Sequence, residues 1–141
     1  MARFAILAIS VAGGLALVAC KPPAPPPPDP EADPIARSFY EEVRTGADLD
    51  ADVHLAHELK NPTTEEELAQ FRTLIPADPP SSIELTSAET HTDSTGTLTK
   101  LTEVYHYVDR NLLAQTALFK SPAGVDPIIV GFKLTQQDAG G

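Results

Sequence analysis

The stretch EVYHYVDRNLLAQTALFK, from Glu103 to Lys120, contains two runs rich in aromatic and aliphatic residues on either side of the polar pair Asp109-Arg110. Runs of this composition favour β-strands, and a short polar break between them is typical of a turn. Alternate residues of a strand point to the same side, so Glu103, Tyr105 and Tyr107 should share one face. The stretch therefore predicts two adjacent antiparallel strands that present a carboxylate and two phenols on one side.

Two further segments have the same composition, SSIELTSAETHT at 81–92 and PIIVGFKLTQ at 127–136. The first strand of the central pair also extends back to residue 97, as TLTKLTEVYHYV. The connecting segments DSTG at 93–96 and SPAGVD at 121–126 contain residues that favour turns. Four strands with such short connections predict an antiparallel meander.

Three helices are predicted before the strands. The first has Asp33 as its N-terminal cap and Pro34 in its first turn, and Gly46 ends it. Its apolar stripe consists of Ile35, Phe39 and Val43. Because these residues recur every four positions, they should form one face that packs on the sheet.

The second helical stretch is predicted at about 48–59, before Pro62, and the third begins near Thr64, which forms a capping-box pattern with Glu67. The third helix should end before Pro76. The residues expected to face the core are Leu49, Val53, Ala56 and Leu59 in the second helix and Leu68, Phe71, Leu74 and Ile75 in the third.

Helices followed by strands predict the α+β class, with N-terminal helices packed on one face of a curved four-stranded antiparallel sheet. The domain is expected to span 34–137, and a disordered tail is expected at 138–141. The segments ARSFYEEVRTGADLD, TTEEELAQFRTLIP and EVYHYVDRNLLAQTALFK resemble the nuclear-transport-factor-two-like, or cystatin-like, cone fold. The resemblance implies a curved sheet whose inner face lies opposite the first helix, in a fold that serves many unrelated functions.

The only cysteine, Cys20, lies between an apolar run at 4–19 and a proline-rich run. The charged start, apolar middle and small-residue end of 1–19 form the pattern of a secretory signal, and the run is short for a membrane span. The segment Leu17-Val18-Ala19-Cys20 resembles a bacterial lipobox. The resemblance implies a lipoprotein signal peptide at 1–19, cleavage before Cys20 and attachment of fatty acyl chains to this cysteine. A plain signal peptide and an uncleaved membrane anchor are the alternatives.

Residues 20–33 are expected to form the lipidated cysteine and a proline-rich tether. Eight of the fourteen residues from Lys21 to Pro34 are proline, which favours an extended polyproline II path with a reach of about 40 Å. A proline-rich ligand for a partner is the alternative. Two or three acyl chains would hold the protein in the membrane. The lipobox resemblance further implies the outer membrane, facing the periplasm, because Lys21 stands where inner-membrane lipoproteins commonly have Asp.

The charge balance excludes one class of partner. The 141 residues include 20 acidic and 10 basic ones, a net charge of −10, and removal of 1–19 would take away Arg3 and leave about −11. Such a chain repels nucleic acid, since phosphate binding needs a basic patch. With one cysteine it cannot form an intramolecular disulfide, so the domain must be stabilised by its apolar core.

Four residues are candidates for ligand binding, namely Tyr40, Glu103, Tyr105 and Tyr107. If the tyrosines line the hollow of a cone, their hydroxyls could hydrogen-bond a ligand, and a partly buried Glu103 could act as a base. The alternative is that they are ordinary half-buried sheet residues whose hydroxyls reach water. No catalytic residue is carried over from cone-fold enzymes, because none matches this chain position by position.

His54 and His57 lie three residues apart in HLAHE, on the second predicted helix. The spacing differs from the H-E-x-x-H pattern of zinc hydrolases, and a structural zinc ion needs four ligands. Two solvated histidines is the simpler interpretation. The sequence therefore predicts neither a metal nor a cofactor.

Taken as a whole, these features predict a lipid-anchored periplasmic module that binds an envelope protein or an apolar small molecule. The alternative is a small pocket enzyme of the isomerase or hydrolase type on the same fold. A deep pocket with convergent polar groups would favour the enzyme. A filled interior with an exposed apolar patch would favour the binding module.

Overall fold

The protein, described here by a computed structural model, is defined for residues 30–124 and 126–138. Its elements in chain order are α1 (Ala32–Thr45), two short 3₁₀ helices (Leu49–Ala51 and His57–Leu59), α2 (Pro62–Arg72), β1 (Ser82–Asp93), β2 (Gly96–His106), β3 (Arg110–Lys120) and β4 (Ile128–Asp138). Helices precede strands throughout the described chain, which confirms the predicted α+β class.

The strands form one antiparallel sheet in the order β1-β2-β3-β4, so the predicted meander is confirmed. In the central hairpin of β2 and β3, Glu103 lies opposite Ala114. The outer pairs each contain an irregularity, after Leu85 in β1 and next to Ala117 where β3 pairs with β4. Because a β-bulge bends its strand, the two irregularities curve the sheet on both sides of the central hairpin.

One side of the sheet is buried, and we call it the inner face; the opposite side is the outer face. The buried side chains of the central hairpin on the inner face are Thr99, Leu101, Glu103, Tyr105 and Tyr107 on or directly after β2, and Leu112, Ala114, Thr116 and Leu118 on β3. Helix α1 packs on this face through an apolar cluster that includes Phe39 and Val43. The prediction of helices on one face of the sheet is therefore confirmed.

The limits of α1 agree with the sequence at its end but differ at its start. The helix begins at Ala32, so Asp33 lies inside the first turn and the predicted Asp33 cap is wrong. The carboxylate of Asp33 instead accepts a hydrogen bond from Nε of Arg37 at 3.1 Å. The predicted end is confirmed: Gly46 is left-handed, with φ of 74°, and its N–H donates to the carbonyl of Glu42.

The second predicted helix, at about 48–59, is wrong as a continuous helix. The structure has only the 3₁₀ helices Leu49–Ala51 and His57–Leu59 in this segment. Val53, which was expected to face the core, is 81% exposed. The other three residues expected there, Leu49, Ala56 and Leu59, are buried or packed against the core.

Asp52 and the edge of the sheet explain why no continuous helix forms there. Asp48 caps the first 3₁₀ helix, but the carboxylate of Asp52, directly after that helix, accepts the backbone N–H of His54. Such local bonds compete with helical ones. The backbone of residues 54–56 forms hydrogen bonds with the edge strand β4. The N–H of Ile129 donates to the carbonyl of His54, and the carbonyl of Ile129 accepts the N–H of Ala56.

Helix α2 starts three residues earlier than the capping-box pattern indicated. Its cap is Asn61, whose side chain accepts the N–H of Thr64 at 2.9 Å, with Pro62 in the first position. Leu68 is buried as predicted. The side chains that also pack against the core are Phe71, Leu74 and Ile75.

The described helices and strands run from Ala32 to Asp138, whereas the domain was predicted at 34–137. Helix α1 begins two residues before position 34, and β4 continues to Asp138, one residue beyond position 137. The predicted signal peptide, Cys20 and most of the tether lie outside the described residues, as do residues 139–141 of the predicted tail.

Gly46 offers a test of how α1 ends. A left-handed backbone costs a side-chain-bearing residue about 1–2 kcal/mol, and asparagine tolerates it better than alanine. A Cβ at this position would also lie 3.0 Å from Cζ of Arg72. We expect Gly46→Ala to lower the free energy of unfolding in urea by about 1 kcal/mol, and Gly46→Asn to lower it less. Equal losses would instead assign the cost to the contact with Arg72.

Candidate functional site

Three tyrosines predicted as ligand-binding candidates meet between α1 and the inner face. The rings of Tyr40 and Tyr105 are stacked, with centroids 3.7 Å apart and planes 10° from parallel. The hydroxyls of Tyr40 and Tyr107 are 2.7 Å apart and hydrogen-bonded. We call these three residues the tyrosine cluster. Burial raises the pKa of all three phenols above the ordinary value, so they stay protonated.

Glu103, the fourth candidate, lies beside the tyrosine cluster and is paired with the start of α1. Nε of Arg37 donates to Oε2 of Glu103 at 2.8 Å and to Oδ1 of Asp33 at 3.1 Å. Glu103 is only 2% exposed, whereas the Arg37 side chain is 41% exposed. The guanidinium thus covers a buried carboxylate and keeps its own outer edge in water.

The Glu103 carboxyl titrates at an unusual pH. Burial and, to a lesser degree, the neighbouring Asp33 carboxyl raise the pKa of Glu103, and the Arg37 guanidinium opposes the rise, so that the pKa is about 7. The group can therefore change protonation state near neutral pH, which is a property of general bases and of pH-sensitive contacts. The chemistry available to it depends on access, because a base must reach the proton it abstracts.

The candidate residues fill the interior in which they meet. Tyr40, Glu103, Tyr105 and Tyr107 are all buried. The open cavities include four on the described part of the chain that no candidate residue lines. The hydroxyl of Tyr105 is buried and has no hydrogen-bond partner among the described residues. Ligand binding by these four residues stays a prediction.

Glu42, toward the other end of α1, forms a carboxyl pair with Asp52 that the sequence did not indicate. Burial first, and then a hydrogen bond with Asp52 and the charge of Asp52, together raise the pKa of Glu42 to about 7. Oε2 of Glu42 is buried and has no hydrogen-bond partner among the described residues. When Glu42 is protonated, its carboxyl group can donate a hydrogen bond to Asp52.

Partial signals for these pairs are present in the sequence. Arg37 follows Asp33 by four residues, the spacing of an ion pair on one helix face, but the N-terminal position of Asp33 favoured a capping role. Glu42 stands next to Val43 of the apolar stripe, which places a carboxylate at the margin of the core. Glu103 is 66 positions from Arg37, and Asp52, the partner of Glu42, lies in an irregular segment. Spacing alone could therefore not identify either pair.

The predicted histidine pair does not share a helix face. His54 is half-buried in the irregular segment that bonds to β4, and His57 is exposed in the second 3₁₀ helix. Among residues 30–124 and 126–138, no group of three or more histidine, cysteine or acidic side chains is arranged to hold a metal ion.

The outer face of the sheet carries an open groove of about 520 Å³. Its floor includes Ala117 and Gly131, and long polar side chains stand around it, namely Glu89, Lys100, Gln115 and Lys133. We call it the outer-face groove. Polar and apolar groups are accessible there at one place.

Cys20 lies outside the described residues, so its predicted lipidation stays a prediction. In the described ranges, no helix has the length and apolar character needed to cross a membrane. Comparison with known protein families, curated proteins and solved structures found no significant match to this chain.

The hydroxyls of Tyr107 and Tyr105 lead to different predictions for the stability of the protein. Tyr107→Phe leaves the buried hydroxyl of Tyr40 without its partner, which should lower the free energy of unfolding by about 1–3 kcal/mol. Tyr105→Phe removes a buried hydroxyl that has no described partner, so stability should stay the same or rise. Urea unfolding of the two variants measures both. A greater loss for Tyr105→Phe would contradict the assigned hydrogen bonds.

The two raised glutamate pKa values predict a pH dependence of stability. Between about pH 4.5 and 7, the folded state holds protons that the unfolded state has lost, so the free energy of unfolding should fall as pH rises through this window. For Glu103 the fall should be at least about 1 kcal/mol. Unfolding in urea at pH 5 and pH 8 measures it.

Matched variants separate this effect from general charge repulsion. Glu103→Gln and Glu42→Gln should each reduce the difference in stability between pH 5 and pH 8, because neither amide titrates. Glu66→Gln, at an exposed position on α2, should leave most of that difference in place. Equal effects of all three variants would show that the net charge of the protein, and not the buried pairs, governs its pH response.

Proposed function

We propose that this chain is a bacterial lipoprotein whose domain acts as a binding module and contacts its partner through its outer surface. In this account Cys20 carries the lipid, residues 21–31 form the spacer, and the domain lies on the periplasmic side of the outer membrane. The lipobox pattern and Lys21 support the anchor and its membrane. The α+β sheet with helices on one face is compatible with the proposed cone-type relationship.

The observation that carries a binding role is the filled interior. The hydroxyls of Tyr40 and Tyr107 bond to each other, and the carboxylate of Glu103 bonds to Arg37. Polar groups that satisfy each other inside a packed core are not free to hold a substrate. A partner protein would instead meet the exposed surface, where the outer-face groove offers both charged and apolar groups.

One observation favours the small pocket enzyme as a second candidate. A carboxyl with a pKa of about 7, next to a phenol whose hydroxyl has no described partner, is a pairing that proton-transfer sites use. Catalysis there would require α1 to move away from Glu103, since Arg37 and Tyr40 lie over the inner face. The interaction module needs no such movement, and we therefore place it first.

The lipid anchor is tested by replacing its nucleophile. Cys20→Ser should abolish incorporation of radiolabelled fatty acid and release the domain from the membrane fraction or leave the precursor uncleaved, because serine offers no thiol to alkylate. Ala24→Ser, which adds a hydroxyl in the tether outside the lipobox, should keep both label and membrane retention. Unchanged labelling of Cys20→Ser would overturn the anchor, whatever the domain binds.

A further inference from the structure

The outer face of the sheet is ordered in cross-strand rows that the strand register defines. One row contains Glu89, Lys100, Ala117 and Gly131, from β1 to β4. The next row contains Ser87, Thr102, Gln115 and Lys133. The two rows place a carboxylate on edge strand β1 and an ammonium group on edge strand β4, at opposite margins of the same face.

The length of the side chains also varies along these rows. The β2 side of the first row carries a lysine, and the β3 and β4 side carries only the methyl group of Ala117 and the bare Cα of Gly131. A Cβ added at Gly131 would lie 3.5 Å from that methyl group, which shows how flat the floor is. Long and short side chains thus occupy opposite halves of the outer-face groove.

The rows on either side are apolar at their centre. Leu98 lies opposite Phe119, and Val104 lies opposite Leu113, all on β2 and β3. The two α-helices of the described chain contribute to the buried clusters on the inner face, while Lys100, Gln115 and Lys133 are exposed. The outer face therefore combines apolar contact rows with a charged groove between them.

The charged groups of the groove have no close ion-pair partner within the described part of the chain. None of the ion pairs with an N–O distance of up to 4.0 Å in the described part of the chain includes Glu89, Lys100 or Lys133. In a chain with 20 acidic and 10 basic residues, two lysines on one sheet face make that face a local exception. Opposite charges at its two margins make it complementary to itself.

We propose that the occupant of the outer-face groove is a second copy of this chain, related by a two-fold axis parallel to the strands. Such an axis lays β1 over β4 of the second copy and β2 over β3. Glu89 then meets the flat floor at Gly131 and the ammonium group of Lys133 of the other copy. Because of the two-fold symmetry, this ion pair forms at two places in the dimer.

The same axis matches the remaining groups of the two rows. Lys100 of one copy lies over Ala117 of the other, so a long side chain meets a short one. Thr102 lies over Gln115, and the two can hydrogen-bond. Leu98 of one copy lies over Phe119 of the other, which buries these partly exposed side chains against each other, and Val104, already buried within its own chain, lies over Leu113.

The area of the face fits a reversible dimer. Four strands about 5 Å apart and about ten residues long give a face of roughly 15 by 33 Å, about 500 Å² per copy. The total of roughly 1,000 Å² lies at the lower limit for a specific interface. We therefore expect a monomer–dimer equilibrium. The dimer rests on the proposed function only in its use of the outer surface, and loss of the lipid anchor would leave it standing.

Sedimentation equilibrium of the full chain in density-matched detergent tests the dimer. The wild-type chain should shift from monomer to dimer as its concentration rises at a fixed number of micelles per chain. Glu89→Lys alone and Lys133→Glu alone should each weaken dimerisation by at least about tenfold, because each puts like charges together twice. Glu66→Lys on α2 should leave it unchanged.

Charge exchange makes the test specific for the proposed axis. The double variant Glu89→Lys/Lys133→Glu should recover the dimer. A mixture of the two single variants should form heterodimers, because positions 89 and 133 then carry opposite charges wherever the two chains meet. Far-ultraviolet circular dichroism and urea midpoints confirm that each variant is folded. A monomer at every concentration, or a dimer that ignores both single changes, would overturn the proposal.

Discussion

The structure depends on how the buried Glu103 carboxylate is paired with α1. An ionised or protonated carboxyl in a packed interior is costly unless its oxygens find partners. Arg37 supplies one, at 2.8 Å, and Tyr40 follows it by three residues on the same side of the helix. That spacing places the Tyr40 ring on Tyr105 and its hydroxyl on Tyr107. The polar contacts thus fix the rotation of α1 on the sheet, while Phe39 and its apolar neighbours supply most of the buried area.

A helix held in this way covers the polar groups of the inner face. Of the four residues predicted to bind a ligand, Tyr40 stacks on Tyr105 and bonds to Tyr107, and Glu103 bonds to Arg37. Buried polar networks of this kind specify one arrangement of the core, because a wrong rotation of the helix would leave a carboxylate and a phenol unpaired. We therefore propose the outer face for binding, because no described helix covers its groove and apolar rows.

The fold was predictable where the signal is local. Alternation with period two placed Glu103, Tyr105 and Tyr107 on one face, and the turn segments indicated the meander. The second helix was not predictable, because the side chain of Asp52 and the edge of β4 compete for its backbone. Propensity takes account of neither effect. The site, likewise, was predictable in its members but not in its contacts. The pairs Arg37–Glu103 and Tyr40–Tyr107 join residues 66 and 67 positions apart, which no spacing rule can connect.

The most direct test of this account is the titration of Glu103 itself. Carbon-13 chemical shifts of the side-chain carboxyl, followed by nuclear magnetic resonance from pH 4 to pH 9, report its protonation without unfolding the protein. Assignment follows from the signal that disappears in Glu103→Gln. A carboxyl sealed beneath α1 and close to Asp33 should titrate near pH 7. A midpoint near 4.3, about the value of a solvated glutamate, would contradict the burial of Glu103 on which the account rests.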